Sequence, residues 1–171
     1  MVDTERAYIA GFLDGDGSII LQMVRRRDYV LGFQIRASIC FFQKRCGIAV
    51  LQWLKERLNW GYIRVRGKMS DYTIVGFDRV QSVLDLVVPF VVLKRRQVEL
   101  ASQIIFEAAA IRNYTDLLRV AQSVDRYAEL NYSKRRTVTA SEVRMVACRR
   151  PNHATASFSA SPGSFLEACR G

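Results

Sequence analysis

Histidine is nearly absent from this sequence: His153 is the only one in 171 residues. It lies close to the C-terminal end, so a histidine general base or a histidine-ligated metal in the body of the protein is set aside. The four cysteines, Cys40, Cys46, Cys148 and Cys169, are scattered, with no C-x-x-C spacing for zinc or redox work. They read as reduced thiols of a cell interior. No apolar run is long enough to span a bilayer. The first residues carry acid early and lack both a signal-peptide core and the Arg/Ser-rich, acid-poor character of a transit peptide, so the chain is expected to act where it is made. Acid is in short supply: 16 Asp and Glu face 26 Lys and Arg, a formal net charge of +10. Such an excess favours a polyanionic partner. The basic clusters lie beside expected strands rather than along one amphipathic helix, which favours nucleic acid over a membrane surface.

What is present is enough for a core. Half the residues are hydrophobic, and the chain is expected to form one domain over 1–149 with a loosely ordered tail over 150–171, where small residues replace periodicity. Residues 4–14 read as a helix capped by Thr4, with Tyr8, Ile9, Phe12 and Leu13 as its apolar faces and Gly15 turning the chain out. Residues 18–24 and 32–42 read as strands, the second alternating Phe33, Ile35, Ala37, Ile39 and Phe41 against Gln34, Arg36, Ser38 and Cys40. A helix over 48–58, strands over 61–66 and 70–75, and helices over 79–88, 94–112, 115–131 and 141–149 follow. The order αββαββα with additional C-terminal helices predicts an α+β fold, helices covering one face of a sheet.

The first helix ends on Asp14-Gly15-Asp16-Gly17. A helix C-terminus already carries partial negative charge, so two carboxylates there need an offsetting cation. A hard divalent ion bound by Asp16 and the Gly15 carbonyl meets that need, although the same four residues can serve simply as a helix stop. Ala7 and Gly11, and Tyr8 and Phe12, are four apart, which leaves one side of the helix low in bulk. That side suits close approach of a second copy of the helix, or tight packing within one chain.

The run Ala7-Tyr8-Ile9-Ala10-Gly11-Phe12-Leu13-Asp14-Gly15-Asp16-Gly17-Ser18-Ile19 resembles the signature of the LAGLIDADG homing endonucleases, and the similarity extends from about Ala7 to Val146. One copy of the motif resembles the single-motif members, which are homodimers. The resemblance implies an intron-encoded, site-specific endonuclease that cuts both strands of a long pseudo-palindromic DNA with divalent metal, Mg²⁺ with Mn²⁺ or Ca²⁺ able to take its place. It implies Asp16 and Gly15 at the metal, Gln43 orienting solvent and Lys94 stabilising phosphate charge. It implies pairing through the helix of Ala7, Tyr8, Gly11 and Phe12. The family's additional basic residue after Gln43 has no direct counterpart in Lys44-Arg45-Cys46-Gly47; Arg45 is the candidate substitute. Residence in a chloroplast or mitochondrion is implied if the chain is translated there.

Alternation along the strands places Gln22, Val24 and Arg26 on one face with Gln34, Arg36, Ser38 and Cys40, continued by Arg64, Arg66, Asp71 and Thr73. Arg matches guanine, Gln matches adenine, and Val or Thr methyl groups match thymine in a major groove. The competing use is a solvated face stabilised by cross-strand pairs of Arg64 or Arg66 with Asp71. Arg25-Arg26-Arg27 and Ser133-Lys134-Arg135-Arg136 suit phosphates. The alternative function is a non-cleaving nucleic-acid-binding protein of the same fold, an RNA maturase or a transcription regulator.

Overall fold

The computed structural model describes residues 1–131 and 138–149. The elements run α1 (Asp3–Asp16), β1 (Gly17–Arg25), β2 (Phe33–Lys44), a 3-10 turn (Arg45–Gly47), α2 (Ile48–Leu58), β3 (Tyr62–Arg66), β4 (Met69–Val75), α3 (Phe77–Val87), α4 (Arg95–Ala109), α5 (Tyr114–Ala128) and α6 (Ala140–Arg149). The expected α+β class and αββαββα order are both present. The expected 150–171 tail, with His153, lies outside the described residues, as do Ser133, Lys134, Arg135 and Arg136.

Four antiparallel strands stand in the order β1-β2-β4-β3. Strand alternation decides which face is covered. Ile19, Leu21 and Met23 of β1, Phe33 to Phe41 at every second residue of β2, and Tyr72 and Ile74 of β4 are all buried, and they form one core with α1 and the later helices. Leu51 and Leu54 of α2, Val80 to Val87 of α3, Val98 and Ile104 of α4 and Val120 of α5 close over them. Tyr127 of α5 ties this layer to the sheet, its hydroxyl donating to the Ile19 carbonyl at 2.9 Å. Gly67, at φ +59°, makes the tight β3–β4 turn in a conformation that glycine adopts without strain. Among the described residues no helix is long and apolar enough to cross a membrane.

Two local expectations at α1 are corrected. Thr4 does not cap the helix: Val2 is the N-cap residue, and its amide donates to Glu5 Oε2 at 3.2 Å. A carboxylate three residues on satisfies that donor as well as a hydroxyl cap would satisfy another. Nor does Gly15 turn the chain out, because the helix continues through Asp16 and gives way at Gly17. Gly17 is needed for space rather than for backbone freedom. A Cβ there would lie 2.6 Å from Leu13 Cδ1 and 2.7 Å from both Leu13 Cα and Leu13 O. The helix therefore passes straight into β1 with no connecting loop.

Gly17→Ala is expected to cost about 1–3 kcal/mol of stability through this overpacking, since the Leu13 backbone cannot yield without shifting the helix. A lowered urea midpoint at unchanged slope is the expected reading; an unchanged midpoint would show that the helix–strand junction has slack.

Candidate active site and nucleic-acid interface

The acidic end of α1 divides its two carboxylates between different tasks. Asp14 is bonded: its Oδ2 accepts from the backbone N–H of Val92 at 2.7 Å and of Leu93 at 3.1 Å, and its Oδ1 from Lys94 N at 2.9 Å. These are two amides of the turn that leads into α4 and the amide of its N-cap residue, Lys94, which makes no side-chain cap. In return, Lys94 Nζ donates to the Asp14 carbonyl oxygen in the last turn of α1. Each helix thus satisfies orphan groups of the other, and an anion sits at a helix N-terminus where the dipole favours it. The expectation that a metal must offset both acids is corrected for Asp14, whose charge the amides of Val92, Leu93 and Lys94 already meet.

Asp16 is different. It is exposed, and it accepts no hydrogen bond and forms no ion pair among the described residues. Gly15 beside it is also exposed, with nothing within 4 Å of where a Cβ would stand. Lys94 is half-buried at the same place, and burial lowers its pKa, against the opposing pull of Asp14 and Asp16. Its ammonium group is thus held at the acidic end of α1. Gln43 lies two residues past Phe41, the register partner of Gly17, and so at this same end of the sheet. Its Oε1 accepts from Lys44 N at 2.8 Å, and its side chain crosses Gly47. Arg45 is exposed in the 3-10 turn, its N–H bonded to Lys68 O at 2.8 Å.

Can these groups hold a divalent ion? Among the described residues no three His, Cys, Asp or Glu side chains gather. One chain thus supplies an unpaired carboxylate and a peptide oxygen, and leaves the other positions to water and phosphate. That donor set fits Mg²⁺, which keeps waters and is held by one or two carboxylates with substrate oxygens.

The uncovered face of the sheet carries the polar residues expected from alternation. Register pairs Gln22 with Arg36 and Val24 with Gln34, then Cys40 with Thr73 and Thr73 with Tyr62, and Asp71 with both Phe42 and Arg64. The residues singled out for base contact fall on one face, with Ser38 opposing Val75 on it, except Arg26, which lies past the end of β1 in the hairpin. Depth divides them. Gln22, Arg36, Arg64 and Arg66 are exposed, Gln34, Ser38 and Val24 are half-buried, and Cys40, Asp71 and Thr73 are buried.

These last three form a floor. Asp71 Oδ2 accepts from Arg64 Nε at 3.1 Å and from the Thr73 hydroxyl at 3.1 Å, and its Oδ1 pairs with Arg66 Nε at 3.3 Å. Cys40 Sγ lies 3.4 Å from Thr73 Oγ1, and burial pushes the Cys40 thiol up. Arg64 also lies over the Tyr62 ring at 5.1 Å. The cross-strand pairs are real, and they hold two arginines whose side chains stay 45% and 63% exposed. At the hairpin, Arg26 pairs with Asp28 at 2.6 Å and holds that carboxyl down at about 2, while Arg25 pairs with Glu142 at 3.3 Å. Arg27 is exposed and forms no ion pair among the described residues. Phe42 and Tyr62, both exposed on this face, were not singled out from the sequence, although strict alternation through β2 and β3 reaches them.

On α1, Phe12 turns towards Phe41, with ring centroids 5.9 Å apart, and Tyr8 meets Trp53 edge-on at 5.3 Å. Ala7 and Gly11 remain exposed, with nothing near Gly11. Packing within the chain therefore does not account for the small residues.

A helical layer backing a sheet with an arginine- and glutamine-bearing open face, and a lone carboxylate at the end of the helix that feeds the sheet, fit a nucleic-acid-binding protein of the α+β class with an open acidic site. Residues 9–92 match the LAGLIDADG endonuclease family model. DNA endonuclease I-CvuI of Chlorella vulgaris is 35% identical over 139 residues, covering 81% of this chain and 86% of that protein. DNA endonuclease I-CreI of Chlamydomonas reinhardtii is 36% identical over 140 residues, with the same coverage of 81% and 86%. The crystal structure of the homing endonuclease I-CvuI with its target and calcium superposes at a TM-score of 0.81 and 33% identity, over 86% of this chain and 94% of that one. This chain belongs to the LAGLIDADG endonuclease family.

The two acids predict opposite thermal behaviour. Asp14→Asn is expected to destabilise by about 2 kcal/mol through loss of charge-assisted bonds to the amides of Val92, Leu93 and Lys94, whereas Asp16→Asn leaves stability unchanged or raised. Equal shifts in melting temperature for the two variants would refute this division of labour.

Proposed function

We propose that the protein is a homodimeric, site-specific DNA endonuclease, each subunit using its Asp16 to cut one strand of a long pseudo-palindromic target. The observation that carries this reading is the unpaired, exposed Asp16 beside a neighbour acid that is fully bonded. A structural carboxylate would have found partners, as Asp14 does; one left open at a helix end is available to a cation. Asp16 and the Gly15 carbonyl would hold the divalent ion, with Mg²⁺ as the working metal and Mn²⁺ or Ca²⁺ as substitutes. Such an ion supplies positive charge for the attacking and leaving oxygens of phosphodiester hydrolysis.

The remaining roles belong to the chain's own groups. Lys94, fixed by its bond to the end of α1, presents positive charge to the scissile phosphate, and Gln43 orients solvent. Arg45 stands close enough in sequence to Gln43 to add charge at the phosphate backbone. The stripe of Ala7 and Gly11 supports pairing of two α1 helices, with Tyr8 and Phe12 flanking the contact. Two subunits so paired bring their Asp16 residues together and extend their sheets outward, which makes the target two-fold in character.

Gln22, Gln34, Arg36, Arg64 and Arg66 read base edges, with Val24 and Ser38 contributing smaller contacts, while Asp71, Thr73 and Cys40 hold the arginines from below. Arg26 serves at the hairpin, and Arg27, Ser133 and Lys134 serve the phosphates. The protein acts inside the cell on the genome it cuts, within an organelle where that genome is an organelle's. The non-cleaving alternative, an RNA maturase or transcription regulator, leaves Asp16 open for no reason.

Cleavage of a randomised duplex library tests the catalytic claim. The native protein is expected to cut both strands of a pseudo-palindromic subset only when a divalent metal is present, and Asp16→Asn to bind that DNA while cutting at least about a hundredfold more slowly. Metal-independent cutting, or full activity of Asp16→Asn, would overturn it.

Binding measurements separate readout from phosphate contact. Arg64→Ala should cost about 1–3 kcal/mol and relax preference at one base pair of each half-site. Arg27→Ala should weaken all sequences alike and lower the salt slope by about one. Swapped outcomes would reassign both residues.

A further inference from the structure

At the end of the sheet beside Asp16, one buried polar atom has no partner. Ser70 is 1% exposed, and its Oγ makes no hydrogen bond. A buried hydroxyl left without a bond is costly and rare, so its partner is to be sought in another conformation of a neighbour. That neighbour is Gln43, the register partner of Ser70 on β2. Directly opposed residues of an antiparallel pair have Cβ atoms about 4.5–5.5 Å apart, within reach of a glutamine side chain. Gln43 alternates with the buried Phe41 and Ser70 with the buried Tyr72, so the two share the helix-covered side.

Gln43 does not use that position in this structure. Its Oε1 accepts from the adjacent Lys44 amide at 2.8 Å, and its stem lies across Gly47, where a Cβ would come 2.8 Å from Cγ and 3.2 Å from Cδ. Lys44 is exposed, so water can replace the carboxamide on its amide. Ser70 has no such recourse. Moving the carboxamide from Lys44 N to Ser70 Oγ therefore leaves no donor or acceptor unmet on either side of the exchange.

We propose that Ser70 is a positioning residue for Gln43: with DNA on the sheet, the Ser70 hydroxyl donates to Gln43 Oε1 and fixes the direction of the amide NH₂ towards the cut site. The arrangement over Gly47 is the resting one. This rests on the solvent-orienting role given to Gln43 above.

Single-turnover cleavage and DNA affinity of Ser70→Ala, Gln43→Ala, their double variant and Gly47→Ala test it, with melting temperatures alongside. Ser70→Ala is expected to slow cleavage about tenfold at unchanged affinity and without loss of melting temperature, because it removes a buried group that has no bond to lose. The double variant should be no slower than Gln43→Ala, since both act through one contact. Gly47→Ala denies Gln43 only its resting place and should cut within about twofold of the native rate. A native rate for Ser70→Ala beside a slow Gln43→Ala would overturn the role of Ser70 while leaving that of Gln43. A slow Gly47→Ala matching Gln43→Ala would make the Gly47 position the working one and overturn the proposal. A native rate for Gln43→Ala would overturn both roles.

Discussion

The reciprocal bonding of Asp14 and Lys94 is the constraint on which the catalytic end depends. A helix terminus leaves carbonyls unmet and a helix start leaves amides unmet, and burying either without partners is costly. Here the end of α1 and the start of α4 meet each other's needs: the Asp14 carboxylate takes amides of Val92, Leu93 and Lys94, and Lys94 Nζ takes the Asp14 carbonyl. Neither helix can shift without breaking several bonds. Asp16, two residues further along the same turn, inherits that fixity without spending its own oxygens, which is what the metal-binding role proposed for it requires.

The sheet solves a related problem. Arginines that read bases must be ordered before the DNA arrives, or the cost of ordering them is subtracted from affinity. Asp71 supplies that order from below, paired with Arg64 and Arg66 and supported by the Thr73 hydroxyl. Burial of one carboxylate beneath two guanidinium groups keeps the open face positive while removing their freedom. The solvated-face use and the base-reading use proposed for these positions are therefore compatible, since the pairs that stabilise the face would also aim it.

Much of this was legible in the sequence where the relevant interaction is local or periodic. Residues 48–58 form a helix with the bounds expected, because Leu51, Leu54 and Leu58 repeat at helical spacing and Asn59 ends the run in the left-handed conformation. Alternation placed the chosen residues on the uncovered face wherever they lie in strands, because a period of two admits only two answers; Arg26 falls past the end of β1 and escapes the rule. What it could not give was depth. Cys40, Asp71 and Thr73 lie on the right face yet are buried, since the ion pairs and hydroxyl bonds above them depend on which strands are neighbours. The role of Asp14 was illegible for a similar reason: its partners are 78 to 80 residues away along the chain. Composition alone showed two acids at a helix end and could not tell the bonded one from the open one. The helix exit was read two residues too early because Gly15 and Gly17 look alike in sequence, whereas only Gly17 sits against Leu13.

The direct passage from α1 into β1 gives one strand two very different ends. Its first residue, Gly17, is pinned against Leu13, while Arg25, its last of nine, lies about 27 Å away at typical strand rise. The hairpin side chains Arg25, Arg26, Arg27 and Asp28 are exposed, unlike the buried Met23 and Phe33 beside them, and can be exchanged without disturbing Asp14, Lys94 or Gly17. Recognition of the outer base pairs can thus drift through successive substitutions while the chemistry stays intact. A lineage of such proteins can follow a changing target sequence, with its tolerance for change graded along a single strand.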